Sequence, residues 1–391
     1  MATAGIRPNI YADHAATTPV DPLVLAAMQP YLTDDFGNPS SLYRRGKAAR
    51  KALEAARQTL ADCLNTPAET LTLTGSGTES DNLAILGVAR TLANTSGRRH
   101  LIVSAIEHAA VLNAARHLEA EGWTLTLLPV NTDGVVSLSD LDAALRPDTA
   151  LVSVMAGNNE VGSLQPVEAI GALLRERGVL FHTDAVQVFG KLPLDLATLA
   201  VDYLSASAHK IYGPKGIGLL YCRPGAPAPT PLVFGGGQEQ GLRSGTENVA
   251  AAVGFAEAAR LAHTAMAEET PRLRRLQQQL MVAIEAQVPG AVINGPHEVA
   301  LRVPGNVHCS FPPGEGEALV LHLDLAGIAA SSGSACHSAV IEPSRVLLAM
   351  GKSEAEARAT VRFSLGKSNT EADIPVIAAA CAKVVTPTGS R

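Results

Sequence analysis

The sequence is short of aromatic residues and of cysteine. Aromatic residues make up 4% of its 391 positions, and a single residue is tryptophan. The cysteines are odd in number and scattered, and no two of them form a C-x-x-C pair, which favours reduced thiols over a disulfide framework or a closed zinc site. We therefore predict no metal site, and it stays open whether one thiol is chemically special. The five are Cys63, Cys222, Cys309, Cys336 and Cys381.

A basic excess and a long apolar run are missing as well. Lys and Arg number 31 against 37 Asp and Glu, which gives a formal charge of -6, whereas nucleic-acid binders usually carry a basic excess. No apolar run reaches the roughly 18 residues that span a bilayer, and residues 1–9 lack the basic start and apolar stretch of a secretory signal. We therefore expect no nucleic-acid partner, no membrane partner and a cytoplasmic location.

Hydrophobic residues are plentiful, at 47% against 17% charged residues, so the chain can bury a large core. At roughly 150 residues per domain, the length predicts two domains or more. Short apolar runs alternate with amphipathic stretches between residues 70 and 221, which is typical of strands joined by crossover helices. We therefore predict an α/β fold with a mainly parallel seven-stranded sheet covered by helices. The predicted strands are residues 70–74, 100–105, 125–130, 150–155, 179–183, 203–207 and 217–221.

Helical segments are predicted on both sides of this region. Apolar residues recur every three or four positions over residues 40–64, and Ser40 or Ser41 is expected to cap that helix. The alternation ends after a proline-rich stretch at residues 224–231, and Ala- and Gln-rich helices are predicted from 248 to 288. Shorter strands and helices follow. We predict a large domain of residues 15–260 and a smaller α+β domain made of residues 1–14 and 261–391.

Polar residues follow several of the predicted strands. Ligands of open α/β sheets bind beyond the carboxyl ends of the strands, so these residues are candidates for a site. The turn at residues 75–79 opens a helix, and its N–H groups and hydroxyls suit a phosphate, although an ordinary βα turn has the same composition. Stability alone does not require polar groups at four successive strand ends. The other candidates are Glu107 with His108, Asn158 with Asn159, and Asp184 with Gln187.

Lys210 has the most informative surroundings of any single residue. It follows a short predicted strand, has small residues before it, and is followed by the Gly-Pro-Lys-Gly turn at residues 213–216. Most lysines are solvated surface residues, so this lysine alone would not indicate a function. Pyridoxal phosphate needs a lysine for covalent attachment, an anion cradle and a carboxylate at its ring nitrogen. Together with the 75–79 turn and Asp184, Lys210 therefore indicates a pyridoxal 5'-phosphate site.

Seven short strings carry a resemblance to a known family. Set in their order along nearly the whole chain, they resemble the class V, fold-type I pyridoxal-phosphate enzymes, specifically the cysteine desulfurases. The combination is far more specific than any one string. The strings are YADHAATTP at 11–19, FGNPS at 36–40, TGSGTESDN at 74–82, NNEVG at 158–162, AHKIYGPKG at 208–216, RSGT at 243–246 and SSGSAC at 331–336.

The resemblance implies a role for each matching residue. Lys210 corresponds to the lysine that forms the Schiff base, and His108 to the imidazole that stacks on the ring. Asp184 is implied to pair with the pyridinium nitrogen, and Gln187 to donate to the ring phenolate oxygen. The implied phosphate ligands are Gly77, Thr78, Ser207 and His209, with Thr246 reaching in from a partner subunit of a homodimer. Asn38, Asn159 and Arg362 are the implied ligands of the substrate carboxylate, and Asn159 is expected to contact the cofactor too.

Cys336 is the candidate nucleophile. It follows a run of small residues at 331–334, which predicts a mobile surface loop, whereas the other cysteines lie in predicted helices and strands. The stretch resembles the longer-looped desulfurases linked to iron-sulfur assembly. The resemblance thus implies removal of sulfur from L-cysteine, giving L-alanine and a persulfide on Cys336 that is passed to an acceptor protein such as an iron-sulfur scaffold.

Two other interpretations share part of this pattern. A class V aminotransferase, or a selenocysteine or cystine lyase, would use Lys210, Asp184 and Arg362 without requiring Cys336. A sulfur-relay or assembly scaffold with an inactive site is a third interpretation, which the complete set of cofactor residues disfavours. Alanine and sulfide production, measured against transamination of keto acids, distinguishes the desulfurase from this second group of enzymes.

Overall fold

The computed structural model describes residues 9–311, 316–332 and 343–385. Cys336, with the loop predicted around it, and residues 386–391 lie outside the described residues. The strands are β1 (Ile10–Tyr11), β2 (Leu71–Thr74), β3 (His100–Ser104), β4 (Thr124–Leu128), β5 (Thr149–Ser153), β6 (Leu180–Asp184), β7 (Tyr203–Ser207), β8 (Gly218–Cys222), β9 (Val292–Ile293), β10 (Asn306–Ser310), β11 (Ile328–Ala329) and β12 (Thr360–Ser364). The helices are α1 (Pro22–Thr33), α2 (Arg44–Leu64), α3 (Gly77–Asn82), α4 (Val88–Thr95), α5 (Ala109–Ala120), α6 (Leu138–Ala144), α7 (Val167–Arg177), α8 (Val249–Gln287), α9 (Gly316–Leu325), α10 (Arg345–Ala349), α11 (Glu354–Arg358) and α12 (Asp373–Val385).

A seven-stranded sheet forms the centre of the molecule, as the alternating pattern predicts. The strand order is β2-β8-β7-β6-β5-β3-β4, and β8 runs antiparallel to both of its neighbours. Every residue of β3, β5 and β7 is buried, as expected of parallel strands that helices cover on both faces. The predicted mainly parallel sheet is therefore confirmed, and β2 to β7 all point their carboxyl ends to one edge.

The capping prediction for the first long helix is wrong. Helix α2 begins at Arg44, and its capping residue, Tyr43, makes no side-chain cap bond. The backbone N–H of Ser40 instead donates to Asn38 Oδ1 at 2.9 Å, and that of Ser41 donates to the Asn38 carbonyl. These two serines therefore belong to a turn around an asparagine, which competes with helical geometry.

Two further segments differ from expectation. Helix α3 starts at Gly77, inside the turn predicted at residues 75–79, because the Ser76 hydroxyl caps it by accepting from the Glu79 N–H at 3.1 Å. The region after residue 248 forms one 39-residue helix, α8, with Pro271 inside it. A single long helix thus replaces the several predicted.

A second apolar core lies around the antiparallel sheet β12-β10-β9. Helix α8 contributes to both cores, since Phe255 packs with the central sheet while Leu276 and Leu280 pack in the second cluster. The predicted domain boundary between residues 260 and 261 falls within this helix, and the division into two domains stays a prediction. Among the described helices, none has both the length and the apolar character that crossing a bilayer requires.

A segment near the amino terminus connects the two cores, and we call residues 10–18 the N-terminal strap. Its β1 pairs in parallel with β11, and the Ser364 N–H donates to the Ala12 carbonyl. At its other end the Thr18 N–H donates to the carbonyl of His209, just beyond β7. The strap therefore passes directly beside the carboxyl end of the central sheet.

Candidate functional site

Lys210 and Asp184 lie at the same edge of the central sheet. Asp184 is the last residue of β6 and pairs with Ser205 of the neighbouring parallel strand β7. Lys210 ends the single 3₁₀ turn Ala208–Lys210 that follows β7 directly. The sequence expectation that an amine and a carboxylate gather at one edge therefore agrees with the positions of these two residues.

The Lys210 amine is held by the N-terminal strap. Its Nζ donates to the carbonyl oxygens of Ala15 and Ala16 at 2.6 and 2.7 Å. Burial, followed by the positive charges of Arg362 and Lys191, lowers the pKa of Lys210 to about 7. A substantial part of this amine is therefore neutral, and so nucleophilic or basic, near neutral pH.

Asp184 is a buried carboxyl group that lacks an ion-pair partner among the described residues. Its Oδ1 accepts from the backbone N–H of Val186 at 2.8 Å. Burial raises its pKa, and charges on His108 and Lys210 act in the opposite direction. A positively charged ligand atom beside it would favour the ionised form, because an opposite charge compensates for desolvation.

Three of the four predicted phosphate ligands of this chain, Gly77, Thr78 and Ser207, lie where the start of α3 packs on the end of β7. A Cβ placed on Gly77 would lie 2.9 Å from Val186 Cγ2 and 3.3 Å from Ser207 Cβ, so the helix start packs closely on the end of β7. Gly77 is the first residue of α3, and Thr78 follows it with an exposed side chain. The first N–H groups of a helix have no intrahelical partner and attract anions. The arrangement is therefore an anion cradle of backbone N–H groups and a serine hydroxyl.

His209 lies at the strap side of this cradle. Its Nδ1 is 3.1 Å from Thr17 Oγ1, and burial lowers its pKa to about 4, with Lys210 as the next cause. The imidazole is therefore neutral at pH 7. A neutral ring donates one hydrogen bond without adding charge.

Thr246 is not drawn to the cradle within its own chain. Its side chain is exposed and forms no hydrogen bond with the described residues. Nearby, Arg243 Nε donates to Glu79 Oε1 at 2.8 Å, and Glu79 Oε2 accepts from the Gly75 N–H at 2.9 Å. The loop that carries Thr246 is thus attached beside the phosphate turn, with Thr246 itself facing outward.

His108 and Gln187 follow β3 and β6 at the same edge. His108 is the capping residue of α5, and its Nδ1 accepts from the Ala110 N–H at 3.1 Å, which places the proton of the neutral ring on Nε2. Gln187 Nε2 donates to the Ala15 carbonyl at 3.0 Å. Both side chains are therefore fixed by backbone contacts rather than by each other.

Arg362 is the centre of the predicted carboxylate site. Its Nη1 donates to the carbonyl of Asn159 at 2.9 Å, and its Nη2 donates to Asp13 Oδ1 at 2.7 Å. Its Nε is buried and lacks a partner among the described residues. Asn38 lies on an exposed turn, and its bonds go to Ser40 and Ser41. The structure therefore brings Asn159 and Arg362 into contact, whereas the hydrogen bonds of Asn38 are made within its own turn.

Sequence reasoning assigned no role to two charged residues at this site. Asp13, which pairs with Arg362, stands inside the YADHAATTP string, so its position in a matching motif was a usable signal. Lys191 approaches Gln187 Oε1 at 3.5 Å and follows Gln187 by four residues. That spacing places both side chains on one side of a helical turn, but only the fold shows that they face Lys210.

The residues present fit pyridoxal phosphate. Lys210 offers an amine of lowered pKa, and Asp184 offers a buried carboxyl group whose ionised form a nearby cation would stabilise. The start of α3 offers a tight anion cradle that a Cβ at Gly77 would crowd. When bound, this cofactor supplies an electron sink for charge developing on the substrate carbon. Lys210, Asp184, Gln187 and the cradle are the groups that would hold it.

Comparison with known proteins agrees with this geometry. Residues 10–377 match the family model described as Aminotransferase class-V. The chain is 44% identical to "Cysteine desulfurase IscS" of Clostridium botulinum over 96% of this chain and 94% of the relative. It is 46% identical to a "Cysteine desulfurase" of Nostoc sp., covering 93% and 90% of the two chains.

A solved structure of a NifS-like protein shares the fold. It superposes with a TM-score of 0.89 at 37% identity and covers 97% of this chain and 99% of the other. The predicted fold-type I architecture and the predicted dependence on pyridoxal phosphate are confirmed by these matches. The chain belongs to the Aminotransferase class-V family and, within it, to the cysteine desulfurases.

Proposed function

We propose that the protein removes sulfur from L-cysteine with pyridoxal phosphate, giving L-alanine and a persulfide on Cys336. The observation that carries the proposal is that Lys210 and Asp184 lie at one edge of the sheet, while the N-terminal strap bonds both Lys210 and Arg362. An amine, a carboxyl group and a guanidinium in this arrangement suit an amino-acid substrate that must be held by its carboxylate while a proton moves at its Cα.

Arg362 binds the substrate carboxylate in this proposal. Its guanidinium is nearly buried, and the contacts to Asp13 and Asn159 fix its plane. The Nε edge retains donor capacity for a carboxylate, which a planar guanidinium binds well. Arg362 therefore orients the substrate, and its bond to the Asn159 carbonyl holds the segment after β5 beside the guanidinium.

Lys210 moves the proton at Cα. Its pKa of about 7 leaves a neutral amine available as a general base near neutral pH, since efficiency is best when the pKa matches the working pH. The carbonyls of Ala15 and Ala16 offer the amine two acceptors within 2.7 Å. These acceptors stabilise the ammonium form after it has taken the proton.

Cys336 receives the sulfur. Its thiolate attacks the substrate Sγ, an S–S bond forms, the C–S bond breaks, and the electron pair of that bond stays with the carbon fragment, which takes up a proton and leaves as L-alanine. Cys336 lies outside the described residues, and the support comes from the residues that flank it. Ser331 pairs with Arg362, and the Ser332 carbonyl accepts from Thr360 Oγ1 at 2.6 Å. The described chain therefore reaches the neighbourhood of Arg362 only four residues before Cys336.

We further propose a homodimer, a cytosolic location and an acceptor protein such as an iron-sulfur scaffold. Thr246 is exposed beside the phosphate turn, which suits a role in a partner's site. Large apolar side chains are exposed on α1 and in the segment that follows it, as expected of a surface covered in an assembly. They are Leu23, Leu25, Leu32, Phe36, Leu42 and Tyr43.

Two variants test the proposed reaction. Lys210→Ala should lose the visible absorbance of the reconstituted protein together with all turnover, because no amine is left to attach the cofactor. Cys336→Ser should keep that absorbance and lose alanine production from L-cysteine. Wild-type desulfuration by Cys336→Ser, or transamination of keto acids in place of alanine formation, would refute the desulfurase reaction while leaving cofactor binding intact.

A further inference from the structure

The Gln187 amide lies between two groups of opposite hydrogen-bonding character. Its Nε2 donates to the Ala15 carbonyl at 3.0 Å, and its Oε1 accepts from Lys191 Nζ at 3.5 Å. A carbonyl only accepts and an ammonium only donates, so a flipped amide would face a repulsive contact on both sides. The orientation of Gln187 is therefore determined by its neighbours, and one N–H of Nε2 remains for another acceptor.

The backbone places Lys191 for this contact. Gly190 adopts a φ of +72°, and a Cβ there would lie 2.8 Å from Ile211 Cγ2, so this close left-handed turn requires glycine. The Lys191 carbonyl accepts from Thr270 Oγ1 of α8 at 2.7 Å. The turn and the helix thus hold the lysine with its side chain beside Lys210, and both lysines line one pocket.

Lys191 has no carboxylate partner among the described residues. Asp13 pairs with Arg362, and Glu269 pairs with Arg272. Burial lowers the pKa of Lys191 to about 8, with Arg362 as the second cause, so the amine is still mostly charged at pH 7. A half-buried cation without an anion contributes little to the stability of a fold, which argues for a role at the site.

The charge of Lys191 acts on several neighbours. It contributes to the lowered pKa of Lys210, His14 and His209, in each case after burial as the largest cause. The titratable and charged groups facing it come from the strap, from the turn after β7, from α8, from β12 and from the segment after β12. They are His14, Lys210, Tyr212, Glu269, Arg362 and Lys367.

We propose that Lys191 is a positioning residue, which holds the Gln187 amide with its N–H edge toward the cofactor and places a second positive charge beside Lys210. A chain of hydrogen bonds connects the two lysines, from Lys191 to Gln187, from Gln187 to the Ala15 carbonyl, and from Lys210 to the same carbonyl. The inference rests on the proposed function, since it assigns the free N–H of Gln187 to the ring oxygen of the bound cofactor.

Three substitutions separate the charge from the donor. Lys191→Arg keeps both, Lys191→Gln keeps an N–H donor without charge, and Lys191→Met removes both. Lys51→Met, in an exposed position of α2, is the matched control. The readout is the pH midpoint of the visible absorbance band of protein reconstituted with pyridoxal phosphate. A second readout is the rate of reconstitution of cofactor-free protein at pH 7 and pH 9.

The expected midpoints follow from the sign of the charge. The positive charge of Lys191 and the N–H of Gln187 both disfavour protonation of the nitrogen that attaches Lys210 to the cofactor. Lys191→Met should therefore raise the pH midpoint of the absorbance band by about one pH unit. Lys191→Gln should fall between Met and wild type, and Lys191→Arg and Lys51→Met should match wild type. Reconstitution of Lys191→Met should be slower at pH 7 and recover at pH 9, because the Lys210 amine then has a higher pKa.

Two results overturn the inference. One is a wild-type midpoint in Lys191→Met with normal cofactor content, and, where the Met variant fails to fold, the Gln variant decides by the same criterion. The other is loss of cofactor from Lys191→Arg in folded protein, since that variant keeps charge and donors and a packing role alone would then explain the residue. Absence of a visible band in the wild type refutes the proposed function instead.

Discussion

Nη2 of Arg362 lies 2.7 Å from Oδ1 of Asp13, a residue 349 positions earlier in the chain. The guanidinium proposed to bind the substrate is therefore anchored to the N-terminal strap, and the next residues of that strap, Ala15 and Ala16, hold Lys210. One short segment thus contacts both the residue that would orient the substrate and the residue that would move its proton. The spacing between the guanidinium of Arg362 and the amine of Lys210 is therefore set by the short stretch of backbone from Asp13 to Ala16.

Removing Asp13, which anchors Arg362, should raise KM more than it lowers kcat. In Asp13→Ala the guanidinium loses a charge-assisted bond and its fixed plane, so we expect KM for L-cysteine to rise about tenfold with a smaller change in kcat. Asp13→Asn retains an acceptor for Nη2 and should lie between the Ala variant and wild type. Steady-state alanine production measures both constants. An unchanged KM in Asp13→Ala would mean that Asp13 does not position Arg362.

The close packing of Gly77 predicts a selective loss of cofactor affinity. In Gly77→Ala the new Cβ would lie 2.9 Å from Val186 Cγ2, so the start of α3 must shift away from Ser207. We expect the dissociation constant for pyridoxal phosphate to rise by about tenfold, since an anion cradle depends on the placement of backbone N–H groups. Absorbance titration of cofactor-free protein measures it. The thermal midpoint of the cofactor-free variant is the control, and equal affinity for both proteins would contradict the proposed cradle.

Glu107 should make stability depend on pH. Burial raises its pKa from 4.5 to about 8, against the effects of hydrogen bonds from Ser104 and the Met155 N–H. Between these two values the folded state keeps a proton that the unfolded state releases, so stability falls as pH rises through this window, by at most about 1.4 kcal/mol per pH unit.

Glu107→Gln removes this proton exchange. The variant should therefore show a weaker loss of thermal midpoint than wild type between pH 5 and pH 8, measured on cofactor-free protein. Parallel curves for the two proteins would show that Glu107 ionises normally. The substitution keeps an oxygen that accepts from Ser104 and Met155, so a general loss of stability is not expected.

The proposed exchange of Thr246 between subunits has a direct test. In hybrid dimers that combine a Lys210→Ala chain with a Thr246→Ala chain, the site that retains Lys210 would receive an intact Thr246 only from its partner. We therefore expect one site per hybrid with wild-type cofactor affinity. If affinity falls to that of the Thr246→Ala homodimer, Thr246 acts within its own chain.

Much of the site followed from the sequence because of the sheet. Asp184 ends β6 and Lys210 follows the neighbouring parallel strand β7 by three residues, so their shared edge depends on topology, which the alternating pattern predicts. Gly77 likewise marks a turn that opens a helix. The location of a residue directly after a strand can thus be predicted from the sequence, because the sheet topology fixes where the strand ends.

The residues that escaped prediction depend on longer-range packing. The Asp13 pair with Arg362 requires the strap to pair with β11 and β12, and the orientation of Lys191 requires α8 to contact its turn. Local sequence propensity does not report these two long-range contacts. The Ser40 or Ser41 cap failed for a local reason instead, because both serine N–H groups donate to Asn38 in a turn that competes with helix capping.

In the proposed reaction, sulfur passes from L-cysteine to Cys336. The most direct measurement is mass spectrometry of the reconstituted protein after incubation with L-cysteine, with peptide mapping of all five cysteines. We expect one added sulfur atom on the peptide that contains Cys336, absent from Lys210→Ala and from protein incubated with L-alanine. Alanine formation without added sulfur on Cys336, or with the sulfur on another cysteine, would contradict it.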